Sequence, residues 1–268
     1  MIEFQRVSKT YPGGFEAVRE FSLVIPDRSI FVLVGSSGSG KTTLLRMVNR
    51  MIEPTSGRVL IDDEDVRDQD PVQLRRSIGY VLQDGGLMPH RNVLDNVVAV
   101  PILNGVSRLV AHGSAKKLLE QVGLTPDLGH RYPAQLSGGQ RQRVGVARAL
   151  AANPTILLMD EPFGAVDPIV RRELQDELKA LQAELGKTIV FVTHDVDEAV
   201  RLADYMAVLA EHAIIAQVGS PQSILAQPAD DFVRDFVGTD SQRVLTVRQV
   251  GGRDLAIDAT GRPVGVLS

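Results

Sequence analysis

Eight consecutive residues, Gly35-Ser36-Ser37-Gly38-Ser39-Gly40-Lys41-Thr42, follow the spacing G-x-x-x-x-G-K-[ST]. That pattern suits an anion cradle. Glycines let backbone N–H groups turn inward around oxyanions without Cβ clashes. A helix starting at Lys41 would aim its positive end at the same place, a gain of ~0.3–2 kcal/mol per charge. Lys41 offers a cation for β- and γ-phosphates, and the Thr42 hydroxyl offers a ligand for Mg²⁺. Thr43 is grouped with them as a binding residue. The run Ile156-Leu157-Leu158-Met159-Asp160-Glu161 supplies the acidic half. Its apolar residues read as a buried strand that delivers two carboxylates at its end. Asp160 would hold Mg²⁺, directly or through water. Glu161 is placed to polarise an attacking water, a role worth ~10²–10⁴-fold in rate. Taken singly, the first motif could be a flexible linker and the second a solvated acidic loop. Together they point to nucleotide hydrolysis. A second anion-binding helix start is expected at Ser137-Gly138-Gly139, ahead of the helical run Gln140 to Ala151.

These side chains need strand ends and helix starts to hold them. Ser29 to Val34, Ile156 to Met159 and Thr188 to Thr193 read as buried strands. After Asp167-Pro168, leucines at 174, 178, 181 and 185 mark one helix face, closed by Gly186. Strands alternating with helices predict an α/β fold with a parallel sheet, whose ligands bind at the carboxyl ends of strands. Residues from about 87 to 153 read as a helical insert, with Asn92 to Val100 and His112 to Val122 as helices. Tyr205 to Leu209 and Ile214 to Val218 read as paired strands, and Ser220-Pro221 opens a short helix. The reading gives one domain over 1–238 and a short appendage over 239–268.

Composition narrows the chemistry. The 268 residues are 44% hydrophobic and 23% charged, so a wholly disordered chain is excluded. Absence of cysteine excludes disulfides, thiol catalysis and Cys-ligated metals. The five histidines form no close ligand pair, so no zinc site is expected. A net charge of −4 argues against a nucleic-acid partner. The longest apolar stretch, Val97 to Leu103, falls far short of the ~20 residues of a spanning helix. With no signal-peptide pattern at the start, the chain is expected to stay in the cytoplasm.

Leu136-Ser137-Gly138-Gly139-Gln140 resembles the signature motif of ATP-binding-cassette ATPases, and the other cassette motifs fall in the expected order. The resemblance covers about Ile2 to Gly238. It implies a P-loop NTPase cassette: a parallel-sheet core, an antiparallel N-terminal β-subdomain and an inserted helical subdomain. It also implies roles. Tyr11 would stack on adenine. Gln83 would be the Q-loop glutamine, sharing Mg²⁺ with Thr42 and Asp160. His194 would be the switch histidine, acting with Glu161 and Gln83 in catalysis. Gly164-Ala165-Val166-Asp167 would be the D-loop. Two copies would meet head to tail, with ATP between Lys41 of one and the Ser137-Gly138-Gly139-Gln140 tip of the other, and Asp167 at their interface.

Within that family two stretches resemble the importers of quaternary-amine osmoprotectants such as glycine betaine, choline and proline. These are Asp160 to Ala165 with Asp167-Pro168-Ile169, and Ser220-Pro221 through Phe236-Val237-Gly238. The resemblance implies a peripheral subunit on the cytoplasmic face of the membrane. Integral permease subunits would dock on the insert near residues 83–100, and a solute-binding protein would act indirectly. An amino-acid or other small-solute importer is the alternative. A soluble cassette acting on DNA or ribosomes is disfavoured by the single signature and the absence of heptads. Asp258 to Ser268 resembles the strand-turn-strand end of a CBS repeat, or a simple β-hairpin.

Overall fold

The computed structural model describes residues 1–83, 85–164, 166–238, 246–250, 253–257 and 263–267. The chain opens with β1 (Ile2–Thr10) and β2 (Glu16–Ile25), then β3 (Ile30–Gly35), α1 (Lys41–Val48), β4 (Ser56–Ile61), β5 (Glu64–Asp65), α2 (Pro71–Ser77) and β6 (Ile78–Val81). The insert follows as α3 (Val93–Val97), α4 (Ala99–Leu103), α5 (Arg108–Gln121) and α6 (Gly138–Leu150). Then come β7 (Ile156–Asp160), α7 (Pro168–Leu185), β8 (Thr188–Thr193), α8 (Val196–Leu202), β9 (Tyr205–Leu209), β10 (Ile215–Gly219), α9 (Pro221–Ala226) and α10 (Asp231–Val237).

Six strands form the central sheet in the order β10-β9-β3-β8-β7-β6. All neighbours are parallel except β10, which runs antiparallel to β9. Alternation along the strands divides the side chains between two cores. Val32, Leu157, Met159, Phe191 and Val208 pack with residues of α5 to α8. Phe31, Leu33, Leu158, Val190 and Leu209 pack with α1 and the N-terminal strands. Burial on both faces is why these strands read as unbroken apolar runs. A second, antiparallel sheet has the order β2-β1-β4-β5 and supplies Ile2, Phe4, Val7, Phe21 and Val59 to the second core.

The register sets the functional edge. Val34 pairs with Thr193, and Asp160 pairs with Val192. The residues that follow these strands therefore emerge side by side.

Between Gln83 and Thr155 no described residue is in a strand, as the insert reading expected. The single helix expected over Asn92 to Val100 is instead two short ones, α3 and α4. Pro101 explains the break, because it lacks the N–H that would continue the α3 ladder. The second predicted helix starts four residues early, at Arg108, after Ser107 at its N-cap position. The helix after Asp167 matches its prediction. Asp167 accepts N–H bonds from Ile169 and Val170, and Gly186 ends α7 at φ +58°. Residues 246–250, 253–257 and 263–267 form the strands β11, β12 and β13 of an antiparallel sheet. The expected turn at residues 258–262 and Ser268 lie outside the described residues. No helix among those described is long and apolar enough to cross a membrane.

Two stability predictions follow from this packing. Leu33 is fully buried on β3, so Leu33→Ala should lower the unfolding free energy by about 2–5 kcal/mol, read as a drop in urea midpoint at unchanged m-value. Glu198 on α8 is buried and accepts a bond from Gln175 at 3.1 Å, and burial pushes its pKa above 4.5. A raised carboxyl pKa stabilises the fold below the unfolded value and loses that contribution as pH rises through the folded one. Glu198→Gln should therefore gain on the parent chain as pH rises from about 4.5, in paired denaturation curves.

Candidate functional site

The loop from Gly35 to Gly40 leaves the carboxyl end of β3 and closes on itself through Ser39 N–H to Ser36 O, 3.2 Å. Glycine is required at two of its positions. A Cβ on Gly40, at φ +92°, would lie 2.5 Å from the Ala17 carbonyl oxygen, and one on Gly35 would lie 2.4 Å from that of Leu209. Lys41 is buried at the start of α1. Its Nζ donates to Gly35 O at 2.8 Å, Ser36 O at 2.7 Å and Ser39 Oγ at 3.2 Å. Burial pulls its pKa down, opposed by the charges of Glu161 and Asp160. The ammonium is thus fixed beneath the loop, while Thr42 and Thr43 occupy the first turn of the helix.

Thr42 faces the acidic edge. Its Oγ1 donates to Asp160 Oδ1 at 2.8 Å. The other carboxylate oxygen, Oδ2, accepts from Tyr80 OH at 3.3 Å and lies 3.7 Å from Arg46 Nη2. Arg46 in turn bonds Tyr80, which holds its pKa up. Glu161, the next residue, has φ +46°, a strained backbone for a residue with a Cβ. Its N–H donates to Val192 O at 2.9 Å, and its Oε2 lies 3.0 Å from His194 Nδ1. Gln83 follows β6 and is exposed. It shares a cleft with Thr42, Arg46, Asp160 and Glu161. Hydroxyl, carboxylate and side-chain amide are the hard oxygen donors Mg²⁺ takes. No group of three or more acidic or histidine ligands exists among the described residues. The donor set therefore fits an ion shared with phosphate oxygens rather than caged by protein alone.

On the other side of Thr42, a second cleft joins Ser37, Gly38, Gly40, Lys41 and Glu161 to Tyr11. Tyr11 OH is 3.4 Å from Thr43 Oγ1, and Lys9 Nζ sits 5.4 Å from its ring centre. The structure thus assembles Tyr11, the Gly35 to Thr43 segment, Gln83, Asp160, Glu161 and His194 at one edge of the sheet.

It places Ser137, Gly138, Gly139 and Gln140 elsewhere. None of them lines either cleft. Ser137 caps α6 reciprocally. Its Oγ accepts the Gln140 N–H at 3.2 Å, and its own N–H donates to Gln140 Oε1 at 3.0 Å. That arrangement leaves the N–H groups of Gly138 and Gly139 at the helix's positive end without an intrahelical acceptor. A Cβ on Gly139 would meet Val170 at 2.8 Å, so the tip abuts the start of α7 just after Asp167. Asp167 is exposed, as is Ile169 at 74%. Ala165, in the same expected loop, lies outside the described residues.

Three residues join the site without having been read from the sequence. Phe15, 58% exposed, lines the Tyr11 cleft after the Gly13-Gly14 turn. Arg46 has a sequence signal, since it lies one helical turn beyond Thr42. Tyr80 has none, because its nearness to Asp160 depends on β6 pairing with β7.

A family model described as ABC transporter matches residues 18–164. The chain is 51% identical over 240 residues to the carnitine transport ATP-binding protein of Listeria monocytogenes, covering 90% of this chain and 60% of that protein. It is 48% identical over 252 residues to the glycine betaine uptake system ATP-binding protein of Escherichia coli K12, covering 93% and 81%. An ATP-binding cassette solved as a dimer in a post-hydrolysis state with ADP and Pi matches with a TM-score of 0.74 at 34% identity, over 82% of this chain and 99% of that one. The chain spans 60–63% of the length of the carnitine and choline transport relatives.

The close approach at Gly40 makes a local prediction. Gly40→Ala should cost about 1–3 kcal/mol through a strained φ and a clash with Ala17, measured by chemical denaturation.

Proposed function

Because the chain belongs to the ABC transporter family, we propose that it hydrolyses ATP as the energy-coupling subunit of an importer for a quaternary-amine osmoprotectant. The observation that carries hydrolysis, rather than nucleotide binding alone, is the position of Glu161. It borders both clefts, beside the cradle on one side and Gln83 on the other, and its carboxylate is oriented by His194 Nδ1 at 3.0 Å. There it can accept a proton from water attacking the terminal phosphorus as the bond to the bridging oxygen breaks.

The other residues divide the work by position. Lys41 and the amides of the Gly35 to Gly40 loop bind the phosphates, and Tyr11, with Phe15 on the same cleft, takes the adenine. Thr42 and Asp160 would hold Mg²⁺, with Gln83 on the same cavity wall, and the ion would offset charge on the phosphate oxygens. The tip at Ser137, with two amides left for an anion, lines neither of the two clefts among the described residues. A second copy related by a twofold axis would bring one tip to each cradle, with Asp167 at the shared surface. The dimeric cassette matched above supports that arrangement. The names of the relatives support the substrate class, since they transport carnitine and glycine betaine, both quaternary amines. Permease subunits would dock on the insert near residues 83–100. The protein would then sit peripherally on the cytoplasmic face of the membrane, and a solute-binding protein would act through the permease.

The decisive variant is Glu161→Gln. ATP affinity should stay near that of the parent chain, the steady-state ATPase rate should fall by about 10²–10⁴-fold, and a dimer should accumulate with ATP on a sizing column. An unchanged rate would remove Glu161 from the role of base. Lys41→Ala should lose nucleotide affinity in an ATP titration. In proteoliposomes carrying the permease and binding protein, glycine betaine should raise ATP turnover and a neutral amino acid should not.

A further inference from the structure

Helix α6 carries more than the tip at Ser137. Arg141, Gly145 and Arg148 are spaced four and three residues apart and so share one face. That face grips the turn after Gln83. Arg148 Nη1 donates to Gly86 O at 2.6 Å and its Nη2 to Gly85 O at 2.9 Å. A Cβ on Gly145 would lie 3.0 Å from Gly85 Cα, and a Cβ on Gly85 would lie 2.8 Å from Arg141 O. The turn therefore lies flat on the helix with no room between them. Gly85 and Gly86 reach it with φ +70° and +58°, conformations that glycine adopts without strain. Gly85 N–H closes the turn on Leu82 O at 2.9 Å, with Gln83 inside it. At the other end of the same face, Arg141 Nη1 donates to Leu136 O at 2.7 Å, next to the tip. Burial pulls the Arg148 pKa down from its usual value. A partly buried guanidinium spent on two consecutive carbonyls acts on backbone position.

We propose that Arg148 is a positioning residue, which holds Gln83 in the Thr42–Asp160 cleft by clamping the carbonyls of Gly85 and Gly86. The inference rests on the ATPase reading above and assigns a residue outside every motif on which that reading was built.

The test uses the full chain with Arg148→Met, Arg148→Lys, Gln83→Ala and the Gln83→Ala/Arg148→Met pair. Arg148→Met should speed amide hydrogen exchange at residues 85–88 while leaving the central sheet protected. It should leave ATP affinity within about twofold and lower kcat by about 10–100-fold, the usual scale for groups that orient a metal-site ligand. Combined with Gln83→Ala it should add little, because both changes remove the same function. Arg148→Lys keeps a donor for one carbonyl and should recover part of kcat. A merely structural arginine would behave otherwise: its loss would multiply in full with that of Gln83, and the rate would fall only as the melting temperature did. Either result, or unchanged exchange at 85–88, overturns the clamp. A parent chain without ATPase activity would instead refute the proposed function, and the exchange experiment would still judge the clamp.

Discussion

Thr42 Oγ1 meets Asp160 Oδ1 at 2.8 Å across 118 residues of sequence, and the candidate site is built around that contact. It joins the first turn of the helix after β3 to the last residue of β7. It exists only if β8 lies between those strands in the observed register. The same register sets Glu161 beside His194 and brings β6 close enough for Tyr80 to reach Asp160. A sheet buried on both faces resists sliding, because a one-residue slip would exchange every side chain between the two cores. The positions of the carboxylates are therefore set by the packing of apolar residues that never touch a ligand.

Polar order at this edge is bought with local strain. Glu161 is held at φ +46° by its bond to Val192 O, and Gly35 and Gly40 press against carbonyl oxygens of Leu209 and Ala17 where no Cβ fits. Lys41 is satisfied by the loop's own carbonyls and hydroxyl, so its charge is compensated in place. Asp160 likewise has partners on both oxygens. Because all three ammonium protons of Lys41 are engaged by the loop, at least one must exchange its acceptor for a phosphate oxygen when an anion arrives.

The helical insert plays a different part. Its α6 presents two free amides at one end and fastens to the turn after Gln83 near the other, so one rigid element spans both the edge that a second copy would meet and the cleft that holds the acids. Arg171 makes a parallel link on α7, donating to Val166 O at 3.2 Å and to Asp195 Oδ2 at 3.4 Å, one residue after His194. The loops on which hydrolysis would depend are tied to helices rather than left to solvent.

Much of this was legible from sequence, because short-range rules govern it. The G-x-x-x-x-G-K-[ST] spacing, the apolar run into Asp160-Glu161, the leucine face of α7 between Asp167 and Gly186, and the paired strands over 205–219 all depend on neighbours within a turn or a strand. The break at Val98 was local too, set by Pro101 just beyond the end of the expected helix. Nothing local could show that Tyr80 reaches Asp160 or that Arg148 holds the turn after Gln83. Those contacts join segments tens of residues apart, and their existence depends on strand order and helix packing. Residue types and spacing determined which groups could bind phosphate and activate water. Only the tertiary structure decided which of them meet, because the meeting is set by the sheet's register and by two cores that lock it.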